Sequence, residues 1–596
     1  MSVQPTDRAT EFSEPDRPAP GASRGYRGPA DAMLAVAVVG LCFLLYIARP
    51  FSIVSDLGYQ AFSARQYFDR YTPQFASIRL VDTQDLARDV VTPLITWAPT
   101  WNALYLVAYK AGLSPGTAGR VLALLLSLTG ALGWARVVSL VGLRGGWKAA
   151  GIVLASLYCL RAGSVTKAST GDIIIYAVAP WLLVAASSLS VPLVSGARKR
   201  LAFRTVILCL ALGFVYWLKY NGIFVSIAIL IALLIEQFRS VIRTRLLSSL
   251  ALMALYGAAF AAPAIALKEY NYSRSGTDVI ESSARYSVRR TPQRLVGFFR
   301  ETAFRAPAIL FSPEDGIDWI AGTTLLTARA WFVRVPGLVL LFLFFYLTVR
   351  TPASWIRNVT VLCGAVPLVV LPFLSFVSGS RYTFSMGRFI EPYWILLELM
   401  VLKLLAEPPR VESPRLRMAR HALALTTAIQ MTLFLWIPYT DVREIWVIYH
   451  SPARTYQISA ANLWDSDLSR YGTRDIVKSV KSLLHGPNDV IVPAIYSTHA
   501  FGTDTMIEFE GSRMLPLNFF HMFQPHGVPG SGYNSSEPLR SSAPLRIILV
   551  APDPYNLADF RQSTERVMRR FPQVRQWNPG PVDPHGRTWI WVGEID

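Results

Sequence analysis

The fold class this sequence predicts is a polytopic α-helical membrane protein carrying a small α/β domain at its C-terminal end. Three observations predict it. The 596 residues are 52% hydrophobic and only 16% charged, against about 25% charged in soluble domains. Apolar runs approaching the ~20 residues that cross a bilayer recur along the first three quarters of the chain. From about residue 441 the composition turns polar, and short strand-like runs replace the long apolar ones.

Residues 1–30 are polar, with Pro, Gly and Arg, and read as a disordered tail. The charged start is not adjacent to an apolar core, so a cleaved signal peptide is not expected. The first span is 31–53. Later apolar runs lie near 120–142, 149–165, 173–194, 204–219, 222–236, 247–267, 335–349, 358–378, 389–406 and 422–438. Together they give about 11 spans in a membrane domain covering 31–440. The break at Lys219-Tyr220-Asn221-Gly222 is either a turn between two short spans or a kink in one. Cys42, Cys159, Cys209 and Cys363 all lie in apolar runs, so no disulfide framework is indicated.

The net charge of +19 fits basic cytoplasmic loops of a membrane protein, and no nucleic-acid partner is expected. The basic loops 195–204, 236–245, 350–358 and 403–421 are separated by pairs of spans, so they share one side. Arg136, Arg144 and Lys148 mark another inside loop. Counting back puts the N-terminus in the cytoplasm and the C-terminal region outside. This parity holds only if 94–113, "LITWAPTWNALYLVAYKAGL", does not cross. With Pro99, Asn102, Lys110 and many aromatics, it suits an interfacial helix on the outer side. The loops 54–119, 268–334 and 379–388 and the tail from about 440 then share the outer face.

Ionisable groups near spans are costly, so they raise a functional question. Asp56 follows the first span, and Arg120 opens the second. Lys167 and Asp172 flank the next outer turn, Lys219 and Asn221 another, and Lys268 and Glu269 end a later span. Arg381, Tyr382, Arg388 and Glu391 cluster in "SGSRYTFSMGRFIEPYWILL". Snorkelling to the headgroups accounts for any one of these charges. Both signs recurring on one face, beside an aromatic loop, fit a ligand with an apolar tail and an anionic head. Arginine suits phosphate through its planar fork of donors. A carboxylate suits either the base for an attacking hydroxyl or a ligand for a divalent cation. The acids of "VDTQDLARD", with Asp82, Asp85 and Asp89, are read as a solvated helix face.

An inside N-terminus, one span and a large outer loop opening with Asp56 and holding interfacial helices resemble the GT-C membrane glycosyltransferases. "LSPGTAGRVLALLLSLTGAL" is similar to that family's second span, Asp172 stands where many members carry an acid, and "GRFIEPYWILL" resembles the opening of a late span. The chain departs from the pattern in having Ser55 and Leu57 around Asp56 instead of a paired acid, and "TPLITWAPTW" where many members have a Pro-Pro element. The resemblance covers about 31–440 and is one of architecture. It implies a GT-C-like catalytic domain that transfers a sugar from a polyprenyl-phosphate donor, held in the bilayer, to a glycan, glycolipid or protein acceptor of the cell envelope. It implies Asp56 as the base and Asp172 as a second acid. Arg381, Arg388, Lys167 and Arg120 would hold the donor phosphate. Tyr59, Trp97, Trp101, Tyr382 and Glu391 would line the substrate. Asp56 and Asp172 are also the acids that would hold a divalent cation, Mg or Mn, if one is used. The implied location is the bacterial inner membrane.

In the region 441–596, "NDVIVPAIYS" and "LRIILVAPDP" read as buried strands, "NLADFRQSTERVMRRF" as a helix and "RTWIWVGEI" as a final strand. That order predicts an extracytoplasmic α/β domain. Its six histidines match no zinc spacing. Other classes stay open at this point. A transporter or flippase for lipid-linked glycans would need charges along a path through the bilayer. A ligase or polymerase would use a pyrophosphate carrier, and an assembly or sensor protein would need no Asp56.

Overall fold

The computed structural model describes residues 28–46, 52–53, 55–95, 97–161, 167–168, 172–193, 198–239, 246–276, 339, 341–352, 354–378, 387–407, 413–425, 428, 473–494, 509, 511–515, 537–551, 560–581 and 590–596. Helices dominate up to residue 425. In chain order they are α1 (Gly28–Tyr46), α2 (Ser55–Phe68), α3 (Thr100–Lys110), α4 (Pro115–Val141), α5 (Gly145–Arg161), α6 (Ile173–Leu189), α7 (Arg198–Leu218), α8 (Ile223–Phe238) and α9 (Leu246–Ser275). Then come α10 (Leu341–Arg350), α11 (Trp355–Ser378), α12 (Gly387–Ala406) and α13 (414–425).

Among the described residues, four helices are long and apolar enough to cross a membrane: Pro115–Val141, Lys199–Leu218, Tyr220–Phe238 and Leu246–Ser275. Only 11% of the apolar window of α9 is buried. Leu247, Phe203 and Leu44 likewise turn bare apolar side chains outward. Patches of this kind need hydrocarbon or a partner against them. The chain is a helical membrane protein.

Several boundaries move from their sequence positions. The first span is described as α1 from Gly28 to Tyr46, beginning before residue 31, and Ser52–Ile53 form a short strand, β1. At 19 residues, α1 is about 28 Å long, close to the hydrocarbon thickness. α4 starts at Pro115, capped by Ser114, whose hydroxyl accepts from the N–H of Thr117. Arg120 therefore lies a turn inside the helix and does not open it. The break at 219–222 is a turn: a 3-10 segment, Tyr220–Gly222, separates α7 from α8. α3 has 11 residues, about 16 Å of helix, which is too short to cross.

The helices pack as α1 on α5, α4 on α6, α7 on α9, and α8 on α11. The segments with the basic loops meet at one end. Lys148 Nζ lies 2.5 Å from Asp31 Oδ2. Lys403 donates to the carbonyl of Val141 at 2.6 Å, and Asn358 to Glu236 at 2.9 Å. The opposite end holds α2, α3 and the start of α6.

The C-terminal region contains a five-stranded sheet in the order β6-β5-β7-β9-β8. Its strands are β5 (Asp489–Pro493), β6 (Arg513–Met514), β7 (Leu545–Val550), β8 (Trp577–Pro579) and β9 (Ile590–Ile595). β5 pairs in parallel with β6 and β7, while β9 is antiparallel to β7 and β8. Every residue of β5 is buried, which explains its continuous apolar run. Two helices, α14 (Thr473–Leu483) and α15 (Phe560–Met568), accompany the sheet.

The acidic stretch 82–88 is not a helix face. Residues β2 (Ser77–Val81) and β3 (Asp89–Pro93) pair antiparallel from Ser77↔Pro93 to Val81↔Asp89, and "DTQDLAR" is the hairpin loop between them. The β-branched residues of "SIRLV" and "DVVTP" fit strands; the charge density of the loop hides them. The loop is docked on the C-terminal domain. Leu86 N–H donates to the carbonyl of Arg540 at 2.8 Å. Arg513 donates to Asp89 at 2.9 Å and to the carbonyl of Leu86 at 2.7 Å. Ser542 donates its N–H (2.9 Å) and hydroxyl (2.6 Å) to Asp85. The loop after α1 and the C-terminal sheet thus lie against each other.

These donors hold the Asp85 carboxyl below its ordinary range: first the Ser542 hydroxyl, then the N–H groups of Ser542 and Ala87, with Arg88 adding to them. A depressed carboxyl contributes stability in full above its free value of about 3.9, and loses it as pH falls through its own lower value. Hydrogen exchange in 82–88, corrected for intrinsic rates, should stay constant from neutral pH to about 4.5 and accelerate only below about 4. Asp85→Asn should remove that acid limb. Acceleration beginning near pH 6 would contradict the assignment.

Candidate functional site at the loop end of the helix bundle

The site is built where two short strands meet. β1 (Ser52–Ile53) and β4 (Lys167–Ala168) pair in parallel, Ser52 with Lys167 and Ile53 with Ala168. Parallel strands leave their ribbon in the same direction. Three residues on from Ile53 stands Asp56, in the first turn of α2. Four residues on from Ala168 stands Asp172, immediately before α6. The ribbon therefore joins the two segments that carry the sequence-predicted acids, which are 116 positions apart in the chain.

Asp172 is 4% exposed. Its Oδ1 accepts from Asn221 Nδ2 at 2.9 Å and lies 4.0 Å from Lys219 Nζ. Its Oδ2 is buried and has no hydrogen-bond partner among the described residues. A buried carboxylate oxygen left open is costly, so it invites a ligand. Lys219 and Asn221 are brought there by the 3-10 turn: an extended Lys219 (φ −162°, ψ 132°) breaks α7 and turns both side chains of the break toward α6.

The floor of the site is tied to the first loop. Tyr220 donates to the carbonyl of Ile95 at 2.8 Å, and Thr100 to that of Trp217 at 2.6 Å. Asn102 donates to the carbonyl of Gln60 at 3.1 Å and Tyr109 to that of Ala61 at 3.2 Å, which clamps α3 beneath α2. Asn271 on α9 donates to Tyr220 Oη at 3.4 Å.

The other sequence-predicted residues divide into three groups. Tyr59, Trp97 and Trp101 are inside the loop's core. Tyr59 stacks on Trp97 with ring centroids 5.5 Å apart, and Trp101 packs on Tyr105 at 6.1 Å. Their rings are covered by protein, at 1%, 7% and 2% exposure, and pack α2 against α3 and the turn before it. Arg120 is half-buried inside α4. Lys167 is placed by its backbone in β4, and Arg388 and Glu391 by theirs in the first two turns of α12, with side chains outside the described residues. The Asp56 side chain, Arg381 and Tyr382 also lie outside them.

Among the described residues no three His, Cys, Asp or Glu side chains come together. For a divalent cation, Oδ2 of Asp172 would supply one oxygen and the Asp56 segment another, short of the usual six. Asn221 and Lys219 are the additions that sequence reading left out of the site. The signal was present: polar residues at a break between two apolar runs. Their partner was not, because nothing local links 219–221 to 172. Comparison with known protein families and with curated proteins finds no match for this chain.

Proposed function

We propose that the chain is a membrane glycosyltransferase that moves a sugar from a polyprenyl-phosphate carrier to a cell-envelope acceptor on the outer face of the bacterial inner membrane. The observation that carries this reading is the parallel ribbon that joins the Asp56 and Asp172 segments at the end of the bundle where the outer loop and C-terminal domain sit. A lipid-linked donor keeps its tail in the bilayer and presents its head at such an end.

In this reading the acceptor hydroxyl attacks the anomeric carbon. The carbon–oxygen bond to the lipid phosphate breaks, the phosphate leaves with the bonding pair, and configuration inverts. A carboxylate takes the hydroxyl proton, with Asp56 as the base and Asp172 aligning the acceptor through its open Oδ2. Arg381 and Arg388 balance the charge that gathers on the departing phosphate. A bound divalent cation, Mg or Mn, would add charge stabilisation at that phosphate.

The test is transfer from labelled polyprenyl-phosphate sugars in proteoliposomes, wild type against Asp56→Asn. The substitution should lower the rate by about 10²-fold or more. Full activity in the variant would remove Asp56 from the chemistry. Wild-type protein that transfers from no donor but translocates the labelled lipid would replace the reading with a flippase.

A further inference from the structure

Among the described residues, the C-terminal domain meets the first loop along the 82–89 hairpin and at Tyr71, and that contact is connected by hydrogen bonds to α2. Arg513, on the edge strand β6, is 14% exposed at its side chain and pairs with Asp89. Asp89 is shared with Arg79, across the hairpin. The backbone N–H of Arg79 donates to Gln66 Oε1 on α2 at 2.8 Å, and Gln66 Nε2 donates back to the Arg79 carbonyl at 3.5 Å. Ser63 on α2 donates to the carbonyl of Ser77 at 2.8 Å. From the other side Arg274, at the end of α9, donates to the carbonyl of Phe75 and to Ser77 Oγ, both at 2.5 Å. The same α2 begins at Ser55 and carries Asp56 in its first turn.

The contact is also shaped for a close fit. Gly511 has φ +81°, and a side-chain carbon there would come within 2.8 Å of Tyr71 Oη. A glycine is needed for both the conformation and the approach. Gln66, Tyr71, Arg79 and Arg513 surround the cleft at this junction.

We propose that the C-terminal domain positions the site: Arg513 is a positioning residue whose bond to Asp89 fixes the hairpin, and through Arg79 and Gln66 fixes the register of α2 and its Asp56 end against the Asp172 segment. This deepens the transferase reading and rests on it for the catalytic consequence. α2 has one end in the ribbon, α3 clamped along its middle and the docked hairpin at its other end. Release of the hairpin loosens the alignment of its first turn, and shifts of about 1 Å cost up to 10²-fold in rate.

The experiment uses the full chain in nanodiscs, with hydrogen exchange followed in 55–68 and 77–93 alongside transfer kinetics. Arg513→Ala should lower protection about 10-fold or more in both segments, since local opening sets exchange. kcat should fall about 10-fold or more with donor KM unchanged, the pattern of lost alignment and not of lost binding. Arg513→Lys should recover part of both losses, because it keeps the charge opposite Asp89 but loses the fork that also reaches Leu86. Gly511→Ala opens the same junction from the other side and serves if Arg513→Ala does not fold. Deprotection of 77–93 with α2 unchanged would overturn the proposal. So would unchanged exchange in both segments for both variants. The exchange arm uses no donor, so a wild-type chain without transfer activity would refute the transferase reading while exchange alone still decides the coupling.

Discussion

Asp172→Asn is expected to lower the transfer rate by about 10²–10⁴-fold, the range for loss of a positioned acid or base. The replacement keeps the size of the side chain and an oxygen that can accept from Asn221 at the 2.9 Å position. What it loses is the charge and the accepting capacity of the open Oδ2. A purely structural Asp172 predicts a different result. The ammonium of Lys219, 4.0 Å away and 9% exposed at its side chain, would lose its counter-charge. Breaking a buried pair costs about 3–5 kcal/mol, and 4.0 Å is the long end of pairing, so the stability loss should fall at or below that range. Lys219→Met separates the two. It should reproduce the loss in Tm, and only Asp172→Asn should reduce kcat at unchanged donor KM. Equal kinetics in the two variants would make Asp172 a scaffold residue.

The second large effect is expected at the seam between α4 and α6. Gly130→Leu should destabilise the bundle by about 3 kcal/mol, the upper end of the cost of overpacking. A side-chain carbon at Gly130 would run into the ring of Tyr176. That ring has nowhere to go. Tyr176 is fully buried, stacks on Tyr158 at 5.1 Å and donates its hydroxyl to the carbonyl of Ala155 at 2.9 Å. Its own carbonyl accepts from Trp134 Nε1 at 3.2 Å. Small residues at crossings let membrane helices approach closely enough for such contacts. Since Tyr176 is one turn after Asp172, the variant should also move the site. Thermal unfolding in detergent measures the first effect. An unchanged Tm would mean that α4 and α6 can separate at no cost.

Much of the helical part was legible from the sequence. The apolar runs at 173–194, 204–219, 222–236 and 247–267 correspond to α6–α9, because length and hydropathy are local properties. Pro99, Asn102 and Lys110 in an aromatic stretch made 94–113 read as a non-crossing helix, and α3 has that length. Strands β5, β7 and β9 were visible for the same reason: "DVIVP" and "LRIILV" are apolar without a helical period. Asp56 and Asp172 stand out in the sequence as acids at span ends, and the β1–β4 ribbon joins the segments that carry them. The hairpin is hidden in the sequence because five polar residues of its seven-residue loop dominate the local signal, while its strands are only five residues each. That Tyr59, Trp97 and Trp101 are buried is not legible in the sequence, because exposed and buried interfacial aromatics have the same composition.

The sequence alone determined which segments are apolar enough for the membrane and which ends carry charge. Those properties are set by transfer of each segment from water to hydrocarbon, which depends on the segment and not on its neighbours. The tertiary structure decided who meets whom. Ser52 pairs with Lys167, Asn221 with Asp172, and Arg513 with Asp89 across 424 positions of chain. A hydrogen bond or ion pair needs a particular partner within about 3 Å, and no local pattern of residues encodes which distant one the fold will deliver.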